Sequence, residues 1–89
     1  MRMDEKNGRL FVAGVEKGGK ISVFNFDKNE NMFIEDTSML MEAHTNMINA
    51  LLYIPEYDIL VSGGYDEKII VWVFSQKEEK FLKLKELDI

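Results

Sequence analysis

The sequence predicts an all-β chain built from two similar antiparallel units, and three observations predict it. The apolar residues fall in short groups bounded by Gly, Asn, Asp and Pro, as strands separated by turns do. Those groups are rich in β-branched and aromatic residues, and no window of about 11 to 18 residues keeps apolar positions at i, i+3, i+4 and i+7, the spacing of an amphipathic helix. Two hairpin-like stretches also repeat one another along the chain.

The first strand runs from Arg9 to Gly14. The second runs from Lys20 to Phe26 and alternates Ile21, Val23 and Asn25 against Ser22, Phe24 and Phe26. Glu16-Lys17-Gly18-Gly19 between them is a tight-turn signal, because glycine takes the positive φ that hairpin turns demand. A polar turn at Asp27 to Asn31 leads into a less regular segment, Met32 to Met41, and then Glu42-Ala43-His44-Thr45-Asn46. Met47 to Ile54 is an apolar run closed by Pro55, whose missing N–H suits a strand end. Asp58 to Gly63 and Lys68 to Phe74 form a second hairpin across Gly64-Tyr65-Asp66-Glu67. The tail, Lys80 to Leu87, has the Leu, Lys and Glu of a helix former, but its alternation at Phe81-Leu82-Lys83-Leu84-Lys85 and its β neighbours assign it to a strand. Residues 1–8 are expected to be a disordered N-terminus, 9–41 a first unit lacking a strand, and 42–87 a complete second unit.

Composition narrows the function. Lys and Arg number 11 against 16 Asp and Glu in 89 residues, for a net charge of −5. The basic residues are spread from Arg2 to Lys85, whereas phosphate backbones are bound by clustered cations, so nucleic acid is not an expected partner. Hydrophobic residues at 46% and charged residues at 30% describe a folding chain rather than a disordered one. With no cysteine, disulfides and thiolate metal sites are excluded, and stability rests on burial. Uncharged runs such as Thr45 to Pro55 fall far below the ~20 residues of a membrane helix, and Met1-Arg2-Met3-Asp4-Glu5-Lys6 has no apolar signal core. The expected partner is therefore not a membrane, and the expected address is cytoplasmic, with the nucleus as the other compartment this composition allows.

The repeat carries the fold. Leu-Phe-Val-Ala-Gly at 10 to 14 lies over Ile-Leu-Val-Ser-Gly at 59 to 63, and, past a one-residue insertion near Gly19, Lys-Ile-Ser-Val-Phe-Asn-Phe at 20 to 26 lies over Lys-Ile-Ile-Val-Trp-Val-Phe at 68 to 74. Identical pairs are Val12/Val61, Gly14/Gly63, Lys20/Lys68, Ile21/Ile69, Val23/Val71 and Phe26/Phe74, and Phe24 precedes Trp72 by 48 residues. Four short strands in a unit of ~40 to 50 residues fit a propeller blade better than a sandwich.

These residues resemble the WD-repeat family of β-propellers. The resemblance is carried by Glu-Ala-His at 42 to 44, Ile-Asn-Ala-Leu-Leu-Tyr-Ile-Pro at 48 to 55 and Ile-Leu-Val-Ser-Gly-Gly-Tyr-Asp-Glu-Lys-Ile-Ile-Val-Trp at 59 to 72. It implies a structural tetrad of His44, Ser62, Asp66 and Trp72, a buried hydrogen-bonded chain that locks one blade to the next. It also implies a non-enzymatic scaffold whose loops and top face bind other proteins. Ala43 stands in place of the family's glycine, Val73 in place of the acidic residue after Trp72, and the first unit has Ala13, Lys17 and Phe24 where the second has Ser62, Asp66 and Trp72. The expected architecture is thus an open piece of a WD-repeat β-propeller: two antiparallel blades, the first incomplete. Rings close with roughly four to eight blades, so two leave outer faces bare. The pattern begins at a second strand and stops where another inter-blade histidine is due, so the chain reads as a fragment, a truncated product without independent function, or a protomer completing a ring by self-association or with another chain. Uncovered apolar faces are expected to drive association.

The same residues suggest other chemistries. His44, Ser62 and Asp66 are the ingredients of a hydrolase triad, but their order is unfamiliar and Val61-Ser62-Gly63 is not a nucleophile elbow. Asp27, Asn29 and Asn31 begin like a calcium loop, yet Met32 and Ser38 stand where a glycine and a bidentate carboxylate belong. Gly18-Gly19 and Gly63-Gly64 open no helix and read as turns rather than phosphate cradles. Met39, Met41 and Met47 read as core filling, and Lys77 to Glu86 as a charged strand edge. No catalytic residue, cofactor or metal is expected.

Overall fold

The computed structural model describes residues 1–14 and 19–88. Two antiparallel sheets make up the chain. The first has the order β1 (Arg2–Asp4), β2 (Arg9–Ala13), β3 (Lys20–Asp27), β4 (Met32–Glu35), and β5 (Met41–Glu42) pairs with the far end of β3. A 3-10 helix at Thr37–Met39, capped by the Asp36 side chain, carries the chain from β4 to β5. The second sheet has the order β6 (Ile48–Ile54), β7 (Ile59–Gly64), β8 (Lys68–Ser75), β9 (Lys80–Asp88). No helix among the described residues is long and apolar enough to cross a membrane.

Each described hairpin turn ends on a left-handed residue immediately before the next strand: Gly8, Asn31, Asp58, Glu67 and Glu79 have φ of 65°, 54°, 52°, 63° and 56°. A positive φ at that place matches turn geometry to strand twist. The candidate calcium stretch is such a turn: Asp27 Oδ1 accepts from the Asn29 and Glu30 amides at 2.8 and 3.3 Å, so its carboxylate serves the chain's own backbone.

Three sequence expectations need correction. Residues 2–4 are a strand rather than disorder, with Arg2, Met3 and Asp4 opposite Phe11, Leu10 and Arg9. Two anchors hold this short polar segment, one long-range and one across its own hairpin: Arg2 Nε donates to the Leu51 carbonyl at 2.8 Å, and Asp4 binds Arg9. The first sheet therefore holds four meander strands rather than lacking one. The division at 41/42 also falls inside β5, whose Met41 and Glu42 both pair with β3. The proposed turn at Glu16 to Gly19 lies outside the described residues except for Gly19.

The third correction is the register of the repeat. Leu10 opposes Phe24, and Leu60 opposes Trp72. With Phe24 over Trp72, the ladder places Leu10 over Leu60 instead of Ile59. Backbone bonds give the same answer: Phe26 N donates to Gly8 O at 2.8 Å, and Phe74 N to Asp58 O at 3.2 Å. The difference between the hairpin loops is two residues, since five (15–19) separate Gly14 from Lys20 and three (65–67) separate Gly64 from Lys68. Val12 and Gly14 thus correspond to Ser62 and Gly64. A shift of one residue moves a side chain to the opposite face of its strand, so the corrected register also reassigns faces.

The sheets stack in the same sense. β1 lies on β6 through Arg2 and Leu51, the β1–β2 turn lies on the β6–β7 turn through Arg9 and Asp58, and the 3-10 helix beyond β4 lies against β9. A two-fold axis between the sheets would reverse either the strand order or the strand direction, and neither is reversed. Phe11, Ile21 and Val23 of the first sheet face Leu51, Leu60, Ile70, Trp72 and Phe81 of the second, with Met39, Met41 and Ala43 filling the same core. Phe11 bridges it, with its ring centroid 5.2 Å from Tyr53 and 5.4 Å from Phe81. Met39 and Met41 are the methionines that fill the core, whereas Met47 is 39% exposed.

Candidate functional site

Polar groups between the sheets gather at two opposite ends. At the first end, His44 sits in the segment entering β6, Ser62 on β7, Asp66 in the β7–β8 turn and Trp72 on β8. The structure brings these four together. His44 Nδ1 lies 2.9 and 3.1 Å from the two Asp66 carboxylate oxygens, His44 Nε2 lies 2.9 Å from Ser62 Oγ, and Trp72 Nε1 donates to Ser62 Oγ at 3.1 Å.

The donor inventory fixes the direction of this chain. An ionised carboxylate only accepts and an indole N–H only donates. The Nδ1–H of His44 therefore donates to Asp66, the Ser62 hydroxyl donates to His44 Nε2, and Ser62 Oγ accepts from Trp72. Among the described residues every buried side-chain polar atom is paired, which avoids roughly 1 to 3 kcal/mol for each one that would otherwise be orphaned. Asp66 also accepts from the Thr45 and Lys68 amides at 3.1 and 3.3 Å, so one carboxylate ties the segment before β6 to the turn before β8. Burial pushes the Asp66 carboxyl up, but the bonds from His44, Thr45 and Lys68 outweigh it and hold it below the ordinary aspartate value.

Two glycines make room for this arrangement. A Cβ on Gly64 would come within 2.8 Å of Asp66 Oδ1 and His44 Cγ and Nδ1. At Gly19, where φ is +48°, a Cβ would overlap the Asn46 carbonyl and lie 2.7 Å from His44 Cβ. The Gly19 carbonyl, at the β3 end of the first sheet, accepts from the Ala43 and His44 amides at 3.2 and 3.1 Å. His44 is thereby held by the first sheet while its ring serves the second. The first sheet has no tetrad of its own among the described residues: Val12 occupies the place of Ser62, and Lys17 lies outside them.

The hydroxyl of the alternative triad is not presented at the surface: Ser62 has 0% exposure and its Oγ already accepts from Trp72. Outside the tetrad, Lys20, Lys68 and Lys83 alternate with Glu42 and Glu86 around a groove, and Lys68 and Lys83 each approach Glu86 at 2.9 Å. Among the described residues, no group of three or more His, Cys, Asp or Glu is placed to hold a metal ion.

At the opposite end is a cluster that sequence reasoning missed. Arg9, 4% exposed, donates from Nε to Asp4 Oδ2 at 2.7 Å and from its terminal nitrogen to Tyr53 Oη at 3.1 Å and to Asp58. Tyr53 Oη donates to Asp58 at 2.6 Å, and Asn7 Nδ2 to Asp4 at 2.9 Å. The guanidinium lies 4.8 Å from the Phe74 centroid and 5.0 Å from that of Phe81, within cation–π range of both. Burial pushes the Asp4 carboxyl up, and the bonds from Asn7 and Arg9 outweigh it and hold it down; burial and the bond to Asp58 together raise the Tyr53 hydroxyl. The sequence hides the cluster because residues 1–8 read as disorder, and because Arg9 and Asp58 are 49 residues apart with no motif joining them. A buried-facing arginine at the head of an apolar strand was the one local signal. No protein-family model matches the chain.

Proposed function

We propose that this chain is a non-enzymatic scaffold of WD-repeat type, in which two propeller blades form part of an open ring and present loops to other proteins. The observation that carries this is the directed hydrogen-bond chain Trp72 to Ser62 to His44 to Asp66, anchored on the preceding sheet through Gly19. Two four-stranded meanders stacked in the same sense add support, since a propeller repeats one blade by rotation without flipping it.

The tetrad's role is structural: it spends its polar groups on one another and fixes the loops at that end of the blade. Beside it, Tyr65 and Met47 are 60% and 39% exposed and joined by the Tyr65 N to Met47 O bond of 2.9 Å. Aromatic and methionine side chains on a fixed loop are the residue types that protein interfaces favour. The scaffold needs no cofactor, and its partners are other proteins.

A serine-reactive fluorophosphonate will leave Ser62 unlabelled, and the Trp72 indole N–H will exchange with solvent only as the chain unfolds. Stoichiometric labelling of Ser62 restores the hydrolase alternative built on His44, Ser62 and Asp66. An indole N–H that exchanges freely in the folded chain removes the tetrad from the structure's support.

A further inference from the structure

The two outward faces of the chain are not alike, and the stacking explains what each one is. In the corrected register, Leu10, Val12, Phe24 and Phe26 on the outer face of the first sheet correspond to Leu60, Ser62, Trp72 and Phe74 on the inner face of the second. Conversely, Phe11, Ile21 and Val23 on the inner face of the first correspond to Val61, Ile69 and Val71 on the outer face of the second. The inner pair already packs together inside the chain. The outer pair is the same pair of face types, left apart.

Both outer faces are apolar and open. Leu52 is 52% exposed on the second sheet, and Met3 and Phe26 are 48% and 41% exposed on the first. Leu52, Val61 and Val71 form one row across the second sheet, and Ile54, Ile59, Val73 and Leu82 form the next. Contiguous apolar rows, three strands wide in the first and four in the second, are an association surface rather than scattered surface hydrophobics. Charge enters these rows only at the sheet edge, where Lys85 of β9 stands opposite Val71.

Resting on the propeller reading above, we infer that the occupant of these faces is a second copy of this chain, docked head to tail: the outer face of the second sheet of one copy stacks on the outer face of the first sheet of the next. The contact continues the stack that joins the two sheets within each copy. It is heterologous, because each copy contributes a different face, and a heterologous contact closes into a ring when its rotation divides the full turn, as the rotation between propeller blades does. Roughly four to eight blades correspond to about two to four copies.

Heterologous docking has a signature that no symmetric dimer shares. The full chain, measured by size-exclusion with light scattering over a wide concentration range, is expected to form a discrete assembly of about two to four copies. Phe26→Glu blocks only the first-sheet face and Leu52→Glu only the second-sheet face, so each variant alone will be monomeric. Mixed, they will form a one-to-one heterodimer through the two intact faces and grow no further. Met3→Lys and Leu87→Lys repeat the design on the same two faces if either first variant fails to fold, as judged by far-UV circular dichroism. A folded monomeric parent, a parent unfolded at every concentration, an assembly that survives one single-face variant, or a mixture that does not re-form a dimer overturns the inference. The scaffold reading fails through different measurements, Ser62 labelling and Trp72 indole exchange, so the two failures are distinguishable.

Discussion

The tetrad and the Arg9 cluster tie the same two sheets at opposite ends with opposite chemistry. The tetrad is a one-way chain of hydrogen bonds with a single ion at its terminus, assembled from residues 44 to 72. The Arg9 cluster is a buried cation held by two carboxylates, a phenol and aromatic faces, drawn from residues 4 to 81. Removing one member of a hydrogen-bond chain orphans its neighbour, whereas removing the cation strands a buried charge. The second loss is larger.

The largest expected effect is therefore at Arg9. Arg9→Ala leaves Asp4, 1% exposed, without its counter-ion, and is expected to cost about 3 to 5 kcal/mol in urea unfolding. Replacing Arg9 and Asp4 together with apolar residues will cost less than Arg9→Ala alone, because no charge is then stranded.

Next come the tetrad variants. His44→Ala and Trp72→Phe will each lower stability by about 1 to 3 kcal/mol, and the double variant will fall short of the sum, because both orphan the same Ser62 hydroxyl. Thermal midpoints equal to the parent's would remove the tetrad from the stability of the chain. Gly64→Ala, which changes no polar group, will be destabilising by about 1 to 3 kcal/mol, since its new methyl lies 2.8 Å from the His44 ring.

A pH titration probes both ends at once. Asp4 and Asp66 have folded values below the ordinary aspartate value of about 3.9, so the stability they contribute is fully present above that value. It is lost as pH falls through the lower folded values. Asp66→Asn should flatten part of that acid limb, and the Arg9→Ala variant, whose Asp4 loses its main partner, should begin unfolding at higher pH than the parent. The smallest effect is at the exposed Lys68 to Glu86 pair, where water and salt screen the contact: Glu86→Gln should leave the thermal midpoint within measurement error.

The contrast between the two ends also explains what was legible in the sequence. Alternation, glycine punctuation and the position of Pro55 place β2, β3, β6, β7, β8 and β9 within a residue or two, because half-buried antiparallel strands write their faces into local sequence, whereas β4 and β5 lie in a stretch that reads only as less regular. The tetrad is readable through the resemblance of residues 42–72 to a repeat family, which implies His44, Ser62, Asp66 and Trp72 as its members. β1 was not, because three polar-flanked residues hold their place through Leu51 and Arg9 rather than through their own propensity. The faces were also hidden: identities such as Val12/Val61 favoured a one-residue insertion, while the hydrogen-bond ladder demands two. The Arg9 cluster has no motif, since Tyr53, Asp58, Phe74 and Phe81 reach the guanidinium only after the sheets have docked.

The Gly19 carbonyl has a consequence for how this molecule comes apart. By accepting the amides of Ala43 and His44, it makes the imidazole's position a property of the first sheet, although the ring completes the interior of the second. Neither half can melt while the other keeps its full set of bonds. Calorimetry should accordingly record one transition whose van't Hoff and calorimetric enthalpies agree, and Gly19→Ala, by breaking that hinge of cooperativity, should split or broaden it.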